Sequence, residues 1–295
     1  MTRLADSRLG EPRLGEWWDG GSTITIGGRR FFTRVEGNGP TVVFLHGFPT
    51  SSHDWAGVIA RLRDRYRCVT FDYLGYGASE KPGDADYSAL VQTDRALAVL
   101  AALGITKMDI VAHDLGGILL QEMLHRKLAG TLELSPRRAI IMNSSVYAEL
   151  YRPTPMQIAL VDPVQGPVLA RSLSRATLEA LIAPLFPSRR LIAEELDDMW
   201  SAISRDNGQL LWPQNLVYMA ERSRLSQQWE AALANTSVEL GFAYGVADPI
   251  SGAAILERAR SQLPGARIIE LAGLGHFPQI ERPDDVAGAL INLLG

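Results

Sequence analysis

Short runs with little or no polar interruption recur along the chain: TVVFLHG at 41–47, YRCVTFD at 66–72, MDIVAHD at 108–114 and AIIMNSS at 139–145. A strand with one wet face alternates apolar and polar residues, whereas a strand apolar at successive positions must be covered on both faces. Between the runs lie stretches of helical length, near 53–64, near 88–103 and opening at Leu115. The alternation predicts a parallel sheet with helices packed on both sides. Residues 23–36 differ: they alternate about a Gly-Gly pair and read as a hairpin at a sheet edge.

The rhythm stops near Ser145. From Val146 to about Leu233 no convincing strand occurs, prolines recur, and RATLEALIAPLF and RLIAEELDDMWSAI carry helical patterning. Strands resume at 237–245 and 266–273, and a last helix runs from about Pro283. The chain therefore reads as one α/β unit with a mostly parallel eight-stranded sheet. Residues 1–145 and 234–295 form its two parts, and residues 146–233 form a helical insert placed to act as a lid.

Composition narrows the function classes. Twenty-nine basic against 33 acidic residues leave a net charge of −4, with no basic run to suit nucleic acid or an anionic membrane. Cys68 is the only cysteine, so no intrachain disulfide forms, and no Cys/His spacing suggests a metal. The N-terminus lacks the apolar core of a signal peptide, and no apolar run has the length of a membrane span. These features predict a cytoplasmic protein, monomer or homodimer, acting on a small apolar organic molecule and water without a cofactor.

The stretch VAHDLGGI at 111–118 ends an apolar run on an acid. Asp114 reads either as the N-cap of the helix that follows or as a nucleophile on a tight strand-to-helix turn, flanked by the small residues Ala112 and Gly116. GVADPI places Asp248 just after the strand 238–245, and GLGHFPQIERPDD places His276 in a Gly-flanked loop after 266–273. Nucleophile, acid and base then occur in that order, each at the carboxyl end of a strand. HGFP at 46–49 would bring the amide of Phe48 beside that of Leu115 as an oxyanion hole. GYGASEKP at 75–82 supplies the loop after the next strand.

With these motifs the chain resembles the α/β-hydrolase superfamily from about residue 23 to the end. An aspartate elbow is similar to the branch containing epoxide hydrolases and haloalkane dehalogenases. HGFPTSSHDW, FDYLGYGASEKP and ELDDMWSAISRDNG resemble the mesoderm-specific transcript group. The resemblance implies attack by Asp114 on a saturated carbon, an alkyl-enzyme ester, and its hydrolysis by water activated at His276 with Asp248 as support. Dehalogenases hold the departing halide with side-chain N–H groups at the positions of Leu115 and Phe48, which have none. Epoxide hydrolases use lid tyrosines as proton donors. WPQNLVYMAERSR matches the segment carrying one of them at Tyr218, and Tyr151 is assigned as the other, with Tyr147 nearby.

Trp200, Trp212, Asn143 and Tyr147 are the remaining candidates for substrate contact. His46 and His113 read as buried support, and His53 and His125 as surface residues. The expected activity is epoxide opening to vicinal diols. Carbon–halogen hydrolysis is the alternative, followed by ester or lactone hydrolysis and by a ligand receptor without turnover.

Overall fold

A computed structural model describes residues 11–295. Eight strands form one sheet: β1 (Ser22–Ile26), β2 (Arg29–Glu36), β3 (Thr41–Leu45), β4 (Arg67–Phe71), β5 (Lys107–His113), β6 (Ser135–Met142), β7 (Glu239–Gly245) and β8 (Arg267–Leu271). Their spatial order is β1-β2-β4-β3-β5-β6-β7-β8. The β1–β2 hairpin turns through Gly27 and Gly28, both at positive φ (57° and 78°), as the Gly-Gly pair predicts. It pairs antiparallel with β4 at one edge, and all later pairings are parallel. The carboxyl ends of six strands therefore open on one rim.

Successive residues of the central strands serve opposite faces. Val42 and Phe44 of β3 belong to the core beneath helices Ala56–Leu62 and Pro283–Leu294, while Val43 and Leu45 belong to the core beneath Ala89–Ala102 and Leu115–Leu128. Both sets are buried almost completely, which is why the strand has no polar alternation to show. Among the described residues no strand lies between Met142 and Glu239; that stretch is helices and tight turns. Its buried side chains, among them Leu178, Ile203, Trp212 and Trp229, join the same apolar cluster as one face of the sheet.

Strand ends differ from the sequence reading by a residue or two, except at β6, which begins at Ser135. Ser135 and Pro136 pair with Lys107 and Met108 ahead of a register shift at Met108/Ile110, so a polar lead-in extends the apolar run. Near the N-terminus, LGEWWD forms a helix, Leu14–Asp19, hidden in the sequence by the Pro and Gly around it. Trp17 of this helix is fully buried, donates to Ser52 Oγ at 3.2 Å and packs edge-on against His53. His53 is thereby half-buried, its Nε2 3.0 Å from Pro12 O, rather than a surface residue. No helix among the described residues is long and apolar enough to cross a membrane.

Candidate active site

Asp114 occupies the turn between β5 and helix Leu115–Leu128 with φ 48° and ψ −112°, a conformation rarely held by a residue bearing a side chain. The turn is tight because backbone crowds it. A Cβ on Gly116 would stand 2.7 Å from Leu45 O, and one on Gly47 would stand 2.7 Å from Asp114 Cβ. The carboxylate does not cap the helix; no side chain accepts from its first turn. Instead Oδ1 accepts a hydrogen bond from the Phe48 amide at 2.8 Å, across from the HGFP loop. The geometry thus sets aside the helix-cap reading and leaves a buried carboxylate presented at the rim, with the Leu115 amide beside it.

His276 lies in the loop after β8, fully buried, with Nδ1 2.8 Å from Asp248 Oδ2 and Nε2 3.7 Å from Asp114 Oδ2. The first contact is a hydrogen bond; the second is too long for one and leaves Nε2 available. Burial alone would lower the His276 pKa, but the Asp248 and Asp114 carboxylates outweigh it and the net shift is upward. Burial would likewise raise Asp248, yet His276, the Asn143 amide and the Ile250 N–H at 2.7 Å hold it below the usual carboxylate range. His113 braces the loop from below: its Nε2 meets His276 O at 2.7 Å, and Gln279 sits at its Nδ1 at 3.3 Å. Burial, with His276 nearby, lowers its pKa to about 4, so it is a neutral strut near neutral pH. His46 is also buried, with Nδ1 2.8 Å from Gly47 O, beneath the HGFP loop.

A cavity bounded by Phe48, Met156, Leu178 and Trp212 contains Asp114 and His276. Trp212 is part of the cavity wall and meets Phe48 edge-on at 5.2 Å. Tyr218, the first residue of helix Tyr218–Asn235, and Tyr151, just after a short turn at Ala148–Leu150, do not line this cavity, but both lie within electrostatic range of Asp114. Both hydroxyls are buried without a hydrogen-bond partner. Burial raises the pKa of each, and the Asp114 charge adds to the rise. Each stays a protonated donor at neutral pH.

Three sequence assignments are corrected. Asn143 does not face the cavity: it is fully buried, its Nδ2 donates to Asp248 Oδ2 (3.0 Å) and Gly245 O (2.9 Å), and its Oδ1 accepts from Gly245 N (2.9 Å). A strand-end Asn was read as a substrate contact, whereas its amide matches the backbone edge of the neighbouring strand. Tyr147 turns toward Arg258, 5.7 Å from its ring, and its acidity is weakened by burial and Glu230 rather than by Asp114. Trp200, on helix Ala193–Ser204, is spent on packing against the main core and does not line the cavity.

Asn143→Ala is expected to lower kcat about tenfold or more with KM unchanged and to reduce the melting temperature, because it orphans a buried carboxylate contact and two backbone groups. Steady-state kinetics and thermal denaturation separate this from a substrate contact, which would move KM.

Several participants were missed by the sequence reading. Asp72 accepts from the amides of Ser52 and Ala78, both at 2.7 Å, and ties the two rim loops together. Gly77, whose Cβ would stand 2.1 Å from Asp72 Oδ2, was the available signal. Asp54 is buried beside Thr50, and burial, only partly offset by the Thr50 hydroxyl, raises its pKa to about 8. Tyr76, edge-on to His46, and Arg222 are buried with unpartnered polar atoms. No group of three or more His, Cys, Asp or Glu residues is spaced to hold a metal ion among the described residues.

A sheet of this order, with a residue forced into positive φ between its fifth strand and the next helix, is the arrangement of α/β hydrolases. The chain belongs to the alpha/beta hydrolase family, which residues 42–289 match. It is 36% identical to LipZ of Mycobacterium tuberculosis over 285 residues, covering 96% of this chain and 98% of LipZ. It is 34% identical to the mesoderm-specific transcript protein of Mus musculus over 284 residues, covering 92% of this chain and 85% of the mouse protein. Among solved structures the fold is shared with the haloalkane dehalogenase DbeA loop variant from Bradyrhizobium elkanii (TM-score 0.75, 23% identity, 92% and 95% of the two chains). It is shared equally with the epoxide hydrolase CorEH (TM-score 0.77, 18% identity, 93% and 98%).

Proposed function

We propose that the protein opens epoxides to vicinal diols through an ester on Asp114. The carrying observation is a carboxylate at the elbow, accepting from the Phe48 amide at 2.8 Å, in electrostatic range of two buried, unpaired phenols. A serine at this turn would give an ether on attacking saturated carbon, and no oxyanion hole helps to cleave one. A carboxylate gives an ester. In the first step an Asp114 oxygen bonds to an epoxide carbon, the C–O bond of the ring breaks, and its electron pair takes the proton of Tyr218, with Tyr151 as the second donor. In the second, water passes a proton to His276 Nε2 and attacks Asp114 Cγ. The resulting oxyanion is held by the Phe48 and Leu115 amides. Collapse expels the diol, whose leaving oxygen takes the proton of the imidazolium steadied by Asp248; one water oxygen stays in the Asp114 carboxyl, and the second water proton returns from there to the Tyr218 phenolate.

His276→Gln removes the base of the second step only, so the ester should accumulate. Incubated with a pool of epoxides and haloalkanes, the variant is expected to gain the mass of a whole epoxide, localised to Asp114 by peptide mapping. A gain equal to a haloalkane less its halide would replace the epoxide reading with carbon–halogen hydrolysis. No adduct across the pool would sink both and favour ester hydrolysis or ligand binding without turnover.

A further inference from the structure

Arg222 is one turn beyond Tyr218 on helix Tyr218–Asn235 and is 2% exposed. Its Nε, Nη1 and Nη2 all lack a hydrogen-bond partner, and no carboxylate among the described residues pairs with it. A guanidinium carries its charge across the pH range of proteins, and burying one unpaired costs several kcal/mol. The flat faces are partly provided for: the guanidinium carbon stands 3.9 Å from the centre of the Tyr151 ring and 5.3 Å from that of Tyr218. Cation–π contacts use the plane and leave the N–H edges unspent. Around this residue the buried groups without a well-formed hydrogen bond are three guanidinium nitrogens and the hydroxyls of Tyr151 and Tyr218, a set rich in donors whose only acceptors are the two phenol oxygens.

We propose that Arg222 forms an anion subsite beside the Asp114 elbow and that the substrate is an organic acid, its carboxylate held by the unpaired N–H edge of Arg222. The assignment rests on the epoxide reading for the reaction and on Arg222 alone for the charge. A planar fork of N–H donors suits a carboxylate, and the apolar walls of Met156, Leu178 and Trp212 suit the hydrocarbon body attached to it. Arg222 and Asp114 both act on Tyr218, so the guanidinium is near enough to offset part of the repulsion that a carboxylate nucleophile exerts on an incoming anion.

The test needs no turnover. Binding of 4-phenylbutyrate and of its neutral amide to the whole protein is measured by calorimetry, with the wild type, Arg222→Gln and Arg222→Lys. A charged hydrogen-bonded pair predicts roughly 10- to 100-fold tighter binding of the acid by the wild type. The ratio should fall below about threefold in the Gln variant and to an intermediate value in the Lys variant. Equal binding of acid and amide by the wild type overturns the subsite, as does a preference that survives Arg222→Gln. Inorganic phosphate or chloride binding as tightly as the organic acid also overturns it, because the site would then hold a free ion. If the Gln variant fails to fold, the wild-type ratio and its reduction in Arg222→Lys decide.

With turnover, the KM of trans-3-phenylglycidate should rise at least about tenfold in Arg222→Gln, while trans-β-methylstyrene oxide, the same skeleton with a methyl in place of the carboxylate, is spared. Acid-selective binding without any Asp114 adduct would remove the epoxide reading and keep the subsite; an adduct with no acid preference would do the reverse.

Discussion

Asp114→Asn is expected to leave a folded protein with epoxide turnover reduced on the order of 10⁴-fold or more. The fold should survive because Asn tolerates positive φ better than most residues and still offers an oxygen to the Phe48 amide. What disappears is the charge that attacks. The melting temperature should hold or rise, since a buried carboxylate near His276 and two phenols is replaced by a neutral amide. A second measurement on the wild type identifies the intermediate directly. In a single turnover in ¹⁸O-water the label should enter the Asp114 carboxylate, not the diol, because water attacks the ester carbonyl. Label found first in the diol would mean direct attack of water on the substrate and would remove Asp114 as nucleophile.

Asp54→Asn should stabilise the protein increasingly as pH rises. Burial raises the Asp54 pKa to about 8; the Thr50 hydroxyl lowers it partially, and the Asp72 and Asp114 charges add to the rise. In the unfolded chain the group ionises near its ordinary value of 3.8. Between those values the folded state binds the proton and the unfolded state has released it, so stability falls as pH rises and the loss is complete above about 8. Asn keeps the shape and does not titrate. From about pH 5 to pH 8.5 the advantage of the variant should widen by up to about 4 kcal/mol, some three pKa units at 1.36 kcal/mol each. Denaturant unfolding at the two pH values measures it. A constant difference would mean that Asp54 is ionised in the folded protein throughout.

The rim residues differ in how far the sequence revealed them. Asp114 was legible because it terminates a run whose unbroken apolarity marks a strand buried on both faces, and Asp248 and His276 because they follow the ends of β7 and β8, strand ends of a parallel sheet that converge on one rim. Tyr218 was legible through its neighbours in the insert. Asn143 was seen but misassigned: its three partners, Gly245 N, Gly245 O and Asp248, are a hundred residues away, and only strand pairing brings them to it. Arg222 and Asp54 carried no signal at all, since a charged residue in a helical stretch is ordinarily a solvated one and their burial is decided by distant packing. The Leu14–Asp19 helix was hidden for a related reason. Its formation rests on Trp17 finding a slot beside Ser52, which local propensity does not register.

Two of the helices described above begin at residues to which the proposed reaction gives a role: Leu115–Leu128 directly after Asp114, and Tyr218–Asn235 at Tyr218 itself. They pack against each other, pinned by the bond from Trp229 Nε1 to Glu122 Oε2 at 2.8 Å, while Gln121 of the first helix holds Val146 O at 3.0 Å where the insert departs. The spacing of the proposed nucleophile and proton donor is therefore an interhelical distance. It is set by the girth of the side chains between two rods and insensitive to the loops that join them. Such a site changes its reach in steps of a methylene, through core substitutions well away from the cavity, while loops can lengthen or shorten without detuning the chemistry.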